Sequence, residues 1–332
     1  MKRKAPTQKD VAKFAGVSQA AVSRFISGNG AISNEAREKI LKVIELMDYE
    51  PDPVARGLSS GRFDVVAIVM TDITNPWYPP VLDLITRELR KLGLQALLFN
   101  ASAPETVDDV MPLVLQYRVR GVIITTASLQ SSGADLCVKR GVPVVMFNRY
   151  SQVGAGHSVS TDNVGGGRIA ADCLLASGSR KPAFIGGNPA VSTNRDRRSG
   201  FFSRLAERDM LAPPSLDKEY TYAWGYEAAQ LLLARHPDID AFCCADDEIA
   251  AGAIDGIRFG LGLRVPEDVR IFGFDDHPVA RQAAYEITTI RQPVAQMIAA
   301  ALELLTKEGS SDERRLIPGE LVIRSSTPSN TG

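Results

Sequence analysis

A chain of 332 residues, 45% of them hydrophobic, is too long for one small domain and has ample material for a core. It has no run of eighteen apolar residues, and no apolar stretch follows its polar, basic N-terminus, which argues against membrane spanning and export. The formal net charge of −1 is unevenly spread: residues 1–60 hold ten Lys and Arg against seven acids, leaving −4 for the rest, so a basic N-terminal segment precedes an acidic remainder.

The first predicted helix begins at Thr7, which can cap it, with Asp10 three residues on favouring its N-terminus. Val11, Ala12, Phe14 and Ala15 supply its apolar face, and Gly16 permits the positive φ that ends it. Ser18 caps a second helix whose Ala21, Val22 and Phe25 face inward at helical spacing. So short a turn sets the two helices at a steep angle, the arrangement that presents a second helix to a major groove. Gln19 and Ala20 then lie at the reading end, since glutamine pairs bidentately with adenine and alanine touches a thymine methyl. Thr7, Ser18, Ser23 and Arg24 are placed to bond phosphates or bases. Ser33 caps a third helix, Asn34 to Met47, with Ala36, Ile40, Val43, Ile44 and Met47 as its core stripe.

From Tyr49 the chain reads Tyr-Glu-Pro-Asp-Pro-Val-Ala-Arg-Gly-Leu58. Asp52 and Pro53 suit the cap and first position of a short helix with Val54, Ala55 and Leu58 as its apolar face. A helix of about two turns is marginal alone, so it is expected to form against a second copy or on DNA. These features resemble the LacI/GalR family of bacterial transcription regulators. Val11-Ala12, Ala15-Gly16-Val17-Ser18, Val22-Ser23-Arg24 and Tyr49-x-Pro-x-x-x-Ala55-Arg56-x-Leu58 stand at that family's spacing, and the resemblance runs from about residue 6 to residue 325. It implies paired hinge helices in a minor groove, with Leu58 wedged between central base pairs and Ala55 beside it. Such wedging kinks DNA at a cost of about a few kcal/mol per step. Asp52 departs from the family's usual asparagine; its carboxylate is repelled by phosphates, which predicts a weaker hinge–DNA contact.

Beyond the hinge, apolar runs at Val65–Met70, Leu94–Asn100, Gly121–Thr125, Val144–Phe147, Pro182–Ile185, Ala241–Cys244 and Val269–Phe274 alternate with amphipathic stretches such as Pro80–Lys91 and Gly165–Ala176. Strand–helix alternation means parallel sheets with helices on both faces. The resemblance implies an all-α helix-turn-helix DNA-binding head (residues 1–60, hinge helix about 52–60) on an α/β periplasmic-binding-protein-like body of two doubly wound subdomains (61–325). The N-subdomain is expected at about 62–160 plus 290–322 and the C-subdomain at about 161–289, with three crossings between them and a polar tail at 326–332. Ligands bind at the carboxyl ends of parallel strands, so the cleft between the subdomains is the expected effector site.

Polar and aromatic residues follow each strand. Asp72, Trp77 and Tyr78 follow the first; the aromatics can stack on a sugar or base face while Asp72 accepts hydroxyl hydrogen bonds. Asn148 and Arg149 follow Val144–Phe147. Arg195 and Arg197 follow Pro182–Gly187, and Arg197 matches the family's Arg-x-x-Gly motif in its ligand-reading place. Tyr220 falls where the family has an aromatic. Asp246, where the family most often has asparagine, follows Ala241–Ala245, and Asp275 lies in the Gly-Phe-Asp-Asp motif. An aspartate at 246 accepts only and favours a ligand offering hydroxyl or ammonium donors, whereas Arg149, Arg195 and Arg197 together could clamp a carboxylate or phosphate. A sugar or sugar derivative is the leading effector and a purine the alternative.

The four cysteines (137, 173, 243, 244) lack metal spacing and read as reduced core thiols. Gly165-Gly-Gly167 lacks the wider dinucleotide fingerprint and reads as helix packing. No cofactor is expected. His157, His236 and His277 are scattered, and no nucleophile-elbow, zinc-protease or phosphate-loop pattern occurs. Asp246-Asp247 and Asp275-Asp276 could suggest a hydrolase, but adjacent residues diverge in direction, and the second of each pair is expected to cap a helix. A small-molecule-binding protein or hydrolase without a DNA role is the alternative of another class. The expectation is a cytoplasmic, non-enzymatic repressor, on the bacterial nucleoid when bound. It would be a homodimer on a pseudo-palindromic operator, with no membrane partner, and its short polar C-terminus gives no tetramerising heptads.

Overall fold

The computed structural model describes residues 6–27, 31–49, 63–71, 73, 75–102, 105–128, 130–307 and 311–327. The expected hinge at 52–60, with Asp52, Ala55 and Leu58, and the cleft candidate Asp72 lie outside them. One unit holds the residues up to Asp64 together with Tyr117–Val119; the other holds Val65–Gln116 and Arg120 onward.

Three helices build the first unit: α1 (Gln8–Ala15), α2 (Gln19–Ser27) and α3 (Asn34–Met47). Thr7 and Asp10 form a capping box, in which the Asp10 carboxylate accepts from the Thr7 amide (2.9 Å) and hydroxyl (2.6 Å) while Thr7 Oγ1 accepts from the Asp10 amide. Gly16, at φ 64°, closes α1. Ser18 and Ser33 cap α2 and α3 through Oγ, each accepting a backbone N–H at 3.2 Å. The core is Val11, Ala12, Ala15, Val22, Ile40 and Tyr49, with Phe25, Val43, Ile44 and Met47 packed on it. Phe14 is not part of it: expected on the apolar face, it is 70% exposed. At about 100° per residue it falls outside the arc that Val11, Ala12 and Ala15 share. Thr7→Ala removes the cap and is expected to cost about 1 kcal/mol. Amides of α1 should then exchange about fivefold faster; unchanged exchange would show that the box does not hold the helix.

The second unit contains two parallel sheets. The first runs β11-β5-β4-β3-β1-β2 and comprises β1 (Val65–Met70), β2 (Gln95–Asn100), β3 (Gly121–Ile124), β4 (Val144–Phe147), β5 (His157–Thr161) and β11 (Arg314–Ile317). The second runs β7-β6-β8-β9 and comprises β6 (Pro182–Gly186), β7 (Ser215–Asp217), β8 (Ala241–Cys244) and β9 (Arg270–Phe272). Central strands buried on both faces must be apolar throughout, and β3, β4, β6 and β8 are. Flanking helices are α4 (Tyr78–Lys91), α5 (Val107–Gln116), α6 (Gly133–Lys139), α7 (Asn163–Ala176), α8 (Ser192–Ala206), α9 (Tyr222–Arg235), α10 (Asp247–Asp255) and α11 (Val294–Thr306). Separate apolar cores surround the two sheets, one around Val66, Ile85 and Phe147, the other around Phe184, Phe201 and Phe242.

The chain passes between the sheets after β5, and β10 (Thr289–Arg291) pairs antiparallel with β12 (Glu320–Val322) where it passes again. Asp276 pins this region. Its side chain is fully buried and ion-paired with Arg281 (2.8 Å), Arg291 (2.7 Å) and Arg324. Burial would raise its carboxyl, but the hydrogen bonds from Arg291, Arg324 and Arg281 outweigh it and hold it below the usual range. Asp276 is therefore an ion-pair hub and not the helix cap expected of it. The polar tail also starts later than residue 326. Ser326 and Thr327 are each 1% exposed, with the Ser326 hydroxyl donating to Ile271 O and the Thr327 hydroxyl to Thr288 Oγ1. Cys137, Cys243 and Cys244 are buried free thiols, and Cys173 is partly buried.

Candidate functional site

In the helical unit, Ser18, Gln19, Ala20 and Arg24 are exposed on α2, Thr7 is exposed ahead of α1, and Ser23 is half-buried. The side chains of Val22 and Phe25, packed on the head core, fix the roll of α2 and leave its N-terminal turn, with Gln19 and Ala20, facing outward.

The second unit gathers its polar residues at the carboxyl ends of the strands. Asn75, Trp77 and Tyr78 follow β1; Asn148 and Arg149 follow β4; Thr193 and Arg197 follow β6; Tyr220, Asp246 and Asp275 follow β7, β8 and β9. These ten residues from both sheets line one narrow cavity of about 20 Å³, so closely do the strand ends approach one another. Of the residues expected here, Trp77, Tyr78, Asn148, Arg149, Arg197, Tyr220, Asp246 and Asp275 are brought together. Arg195 is not. It turns away to Asp196 (2.9 Å) and the Tyr150 hydroxyl, in a separate cavity shared with Arg314. Asn75 and Thr193 are additions; Thr193 lies one helical turn before Arg197 and so shares its face.

Arg197 is the anchor. It is 3% exposed; Nε donates to Asn163 Oδ1 (2.8 Å), Nη1 to Ala245 O (2.5 Å) and Nη2 to Asp275 Oδ1 (2.9 Å). Its guanidinium lies over the Phe274 ring at 3.6 Å. Gln292 donates to the same Asp275 oxygen (2.6 Å). Gly167 makes this possible: a Cβ there would stand 2.2 Å from Arg197 O, so only glycine lets α7 approach α8 so closely. Asp275 (φ 107°) and Asn148 (φ 68°) hold backbone conformations that side chains rarely adopt, a sign of local strain at a pocket.

Asp246 is the N-cap of α10, its Oδ1 accepting from the Ile249 amide at 2.8 Å. The first member of this aspartate pair thus caps, contrary to expectation. Asp247 is wholly buried, with one oxygen accepting from the His277 amide (2.7 Å). Burial, and next the charge of Asp275, push the Asp246 carboxyl up to about 8. A carboxyl raised this far keeps a proton at neutral pH and can donate as well as accept, beyond the acceptor-only behaviour expected of it. Burial likewise raises the Tyr220 phenol, to about 12, and its hydroxyl lies 3.0 Å from Thr193 Oγ1. Trp77 and Tyr78 meet edge to face, with centroids 5.1 Å apart, and both belong to the core of the first sheet. They pack against each other and the core rather than standing as a free stacking pair.

Among the described residues, no group of three or more His, Cys, Asp or Glu side chains is placed to hold a metal ion. No described helix is long and apolar enough to cross a membrane.

Comparison with known proteins gives two domain matches: "Bacterial regulatory proteins, lacI family" over residues 7–52, and "Periplasmic binding protein-like domain" over residues 171–327. A ribose operon repressor from Halalkalibacterium halodurans is 30% identical, with 97% of each chain covered. The solved complex of the transcriptional regulator CelR with cellobiose is 28% identical over 97% of this chain and 99% of that one, with a TM-score of 0.73. The Lac repressor bound to ONPG, 23% identical over 98% of this chain and 100% of that one, has a TM-score of 0.83 and so shares the fold. With a helix-turn-helix unit, a two-sheet body and a relative matched from end to end, the chain belongs to the lacI family of bacterial regulatory proteins.

Proposed function

We propose that this protein is a transcriptional repressor whose affinity for a pseudo-palindromic operator is set by a small metabolite bound in the cleft between the two sheets. The convergence of ten residues from both sheets on one pocket carries this reading, in a chain whose α2 exposes Gln19 and Ala20. A ligand that grips both sheets favours one relative placement of them. If that placement also changes DNA affinity, the two sites are coupled, and the coupling is reciprocal. The homologous regulators of ribose operons and the cellobiose complex of CelR favour a sugar or sugar derivative as the effector. The purine alternative has less support, because Trp77 and Tyr78 are committed to the core. Thr7, Ser18, Gln19, Ala20, Ser23 and Arg24 form the proposed DNA-reading surface, joined by Ala55 and Leu58 of the hinge. The acting species is a homodimer, because two-fold DNA calls for a two-fold protein. It works in the cytoplasm, and the regulatory family makes catalysis no part of its role.

The test is selection of binding sites from random duplex DNA by the full-length protein, followed by titration of the selected operator with and without metabolites. The expected result is a palindrome whose binding changes with one ligand class; no preference over random DNA at physiological salt would sink the reading. Gln19→Ala is expected to lose about 1–3 kcal/mol at one base position in each half-site while non-specific binding persists. Equal losses on every sequence would place Gln19 on the phosphates instead.

A further inference from the structure

We infer that the metabolite read by this cleft is a sugar acid, its carboxylate seated on Arg149; this rests on the proposed reading of the cleft as the effector site. The pocket is lined by two arginines in different states. Arg197 is matched by Asp275 and also spends donors on Ala245 O and Asn163 Oδ1. Arg149 has no carboxylate within ion-pair distance among the described residues, and its Nε is buried without a hydrogen-bond partner. Arg195, the third arginine of this stretch, is paired with Asp196 outside the pocket. Arg149 is half-buried, and its buried Nε–H without a partner is costly; an anion arriving from solution relieves that cost and meets the charge.

The remaining carboxyl, Asp246, does not supply the counter-charge, because burial keeps it largely protonated at neutral pH. Among the described lining residues, Arg149 therefore has no carboxylate of its own, and a ligand with one negative charge would match it. A carboxylate carries one and matches the planar fork of a single guanidinium, whereas a phosphate dianion calls for a second free cation. The rest of the lining asks for hydroxyls. Asn148 Oδ1 is buried without a partner, and Thr193 and Tyr220 offer hydroxyl groups that both donate and accept. Aldonic and uronic acids combine these features.

The experiment is isothermal titration of the full-length protein at pH 7 and 0.15 M salt. Gluconate, galactonate, glucuronate and galacturonate are each compared with the matching neutral sugar, with glucosamine and with glucose 6-phosphate. One acid should bind at least about tenfold more tightly than its neutral parent, the scale of a lost charge-assisted hydrogen bond. Arg149→Gln, its folding checked by melting temperature, should lose at least about tenfold for that acid and bring acid and neutral sugar within a few-fold of each other. Arg149→Lys, which keeps the charge, should recover part of the loss. The inference is overturned if a neutral, amino or phosphorylated sugar binds more tightly than the matched acid, if Arg149→Gln binds the acid as tightly as the parent, or if none of the acids binds. Operator binding by the unmodified protein is read in parallel. Its failure counts against the regulator reading, whereas intact operator binding without an acid response counts against the carboxylate alone.

Discussion

Replacing Arg197 by methionine is expected to destabilise the effector-binding body by about 3–5 kcal/mol and to abolish any effector response. The Arg197 and Asp275 side chains are 3% and 13% exposed, so water screens their attraction little and cannot resolvate the carboxylate once the arginine is gone. Ala245 O and Asn163 Oδ1 lose their donors in the same step, and the ring of Phe274 loses its cation. Gln292 still donates to Asp275, which limits the damage without neutralising the charge. In a body of this size the melting temperature should fall by roughly 10 °C. A second change, Asp275→Asn on the same background, removes the stranded charge and should return more than half of the loss. Urea unfolding followed by tryptophan fluorescence measures this, since Trp77 and Trp224 both lie in the body. An unchanged midpoint for Arg197→Met would mean that Asp275 does not depend on the pair, and the anchor assigned here would be wrong. If the double variant were no better than the single, packing on Phe274 rather than charge would account for the loss.

Much of this site was legible because each strand announces its own end. Runs such as Val144–Phe147 and Ala241–Cys244 are continuous and apolar, so the first polar residue after each marks the carboxyl edge, where parallel sheets bind ligands. Strand β5, His-Ser-Val-Ser-Thr, gave no such signal, because its buried hydroxyls look polar in sequence; Thr161 donates to Gln292 Oε1 and Ser158 is buried. The sequence position of Arg195 points to the pocket, but helix geometry argues against it: residues two apart on α8 point about 200° apart, so Arg195 and Arg197 cannot share the cleft. The same geometry would have supplied Thr193, four residues before Arg197. Asn75 sits in an Asn-Pro pair and reads as a turn residue, and its Oδ1 does accept from the Trp77 amide at 3.0 Å. The hub at Asp276 could not be read at all, since Arg281, Arg291 and Arg324 reach it from three separate segments. The two aspartate pairs show how composition misleads. Asp246 caps where the expectation names Asp247, and Asp247 instead accepts from the His277 amide.

Stability of the empty body is expected to fall as the pH rises from about 5 to about 8, and Asp246→Asn should flatten that fall. In the folded protein the Asp246 carboxyl is raised to about 8, against 3.8 for the free group. Between those values the native state keeps a proton that the unfolded chain has released, so stability decreases by up to about 1.4 kcal/mol per pH unit. Below about 4 both states are protonated, and this loss is absent. Asp247, raised in the same direction by burial and by the charge of Asp275, adds to the slope. Carboxylates held low, such as Glu207 and Asp268 at about 2, act with the opposite sign only up to about pH 5, where the unfolded chain has released the same protons. The parent and Asp246→Asn should therefore have similar stabilities at about pH 4 and diverge by on the order of a few kcal/mol at pH 8, the variant being the more stable. Urea unfolding at each pH measures the difference, and taking the difference cancels every group the two proteins share. Parallel curves would mean that water reaches Asp246 and that it is ionised throughout. The sign also bears on the ligand. An anion seated in the cleft favours the protonated carboxyl, so its affinity should weaken as the pH passes about 8. A ligand bringing an ammonium group would ionise Asp246, release a proton on binding and gain affinity as the pH rises toward about 8.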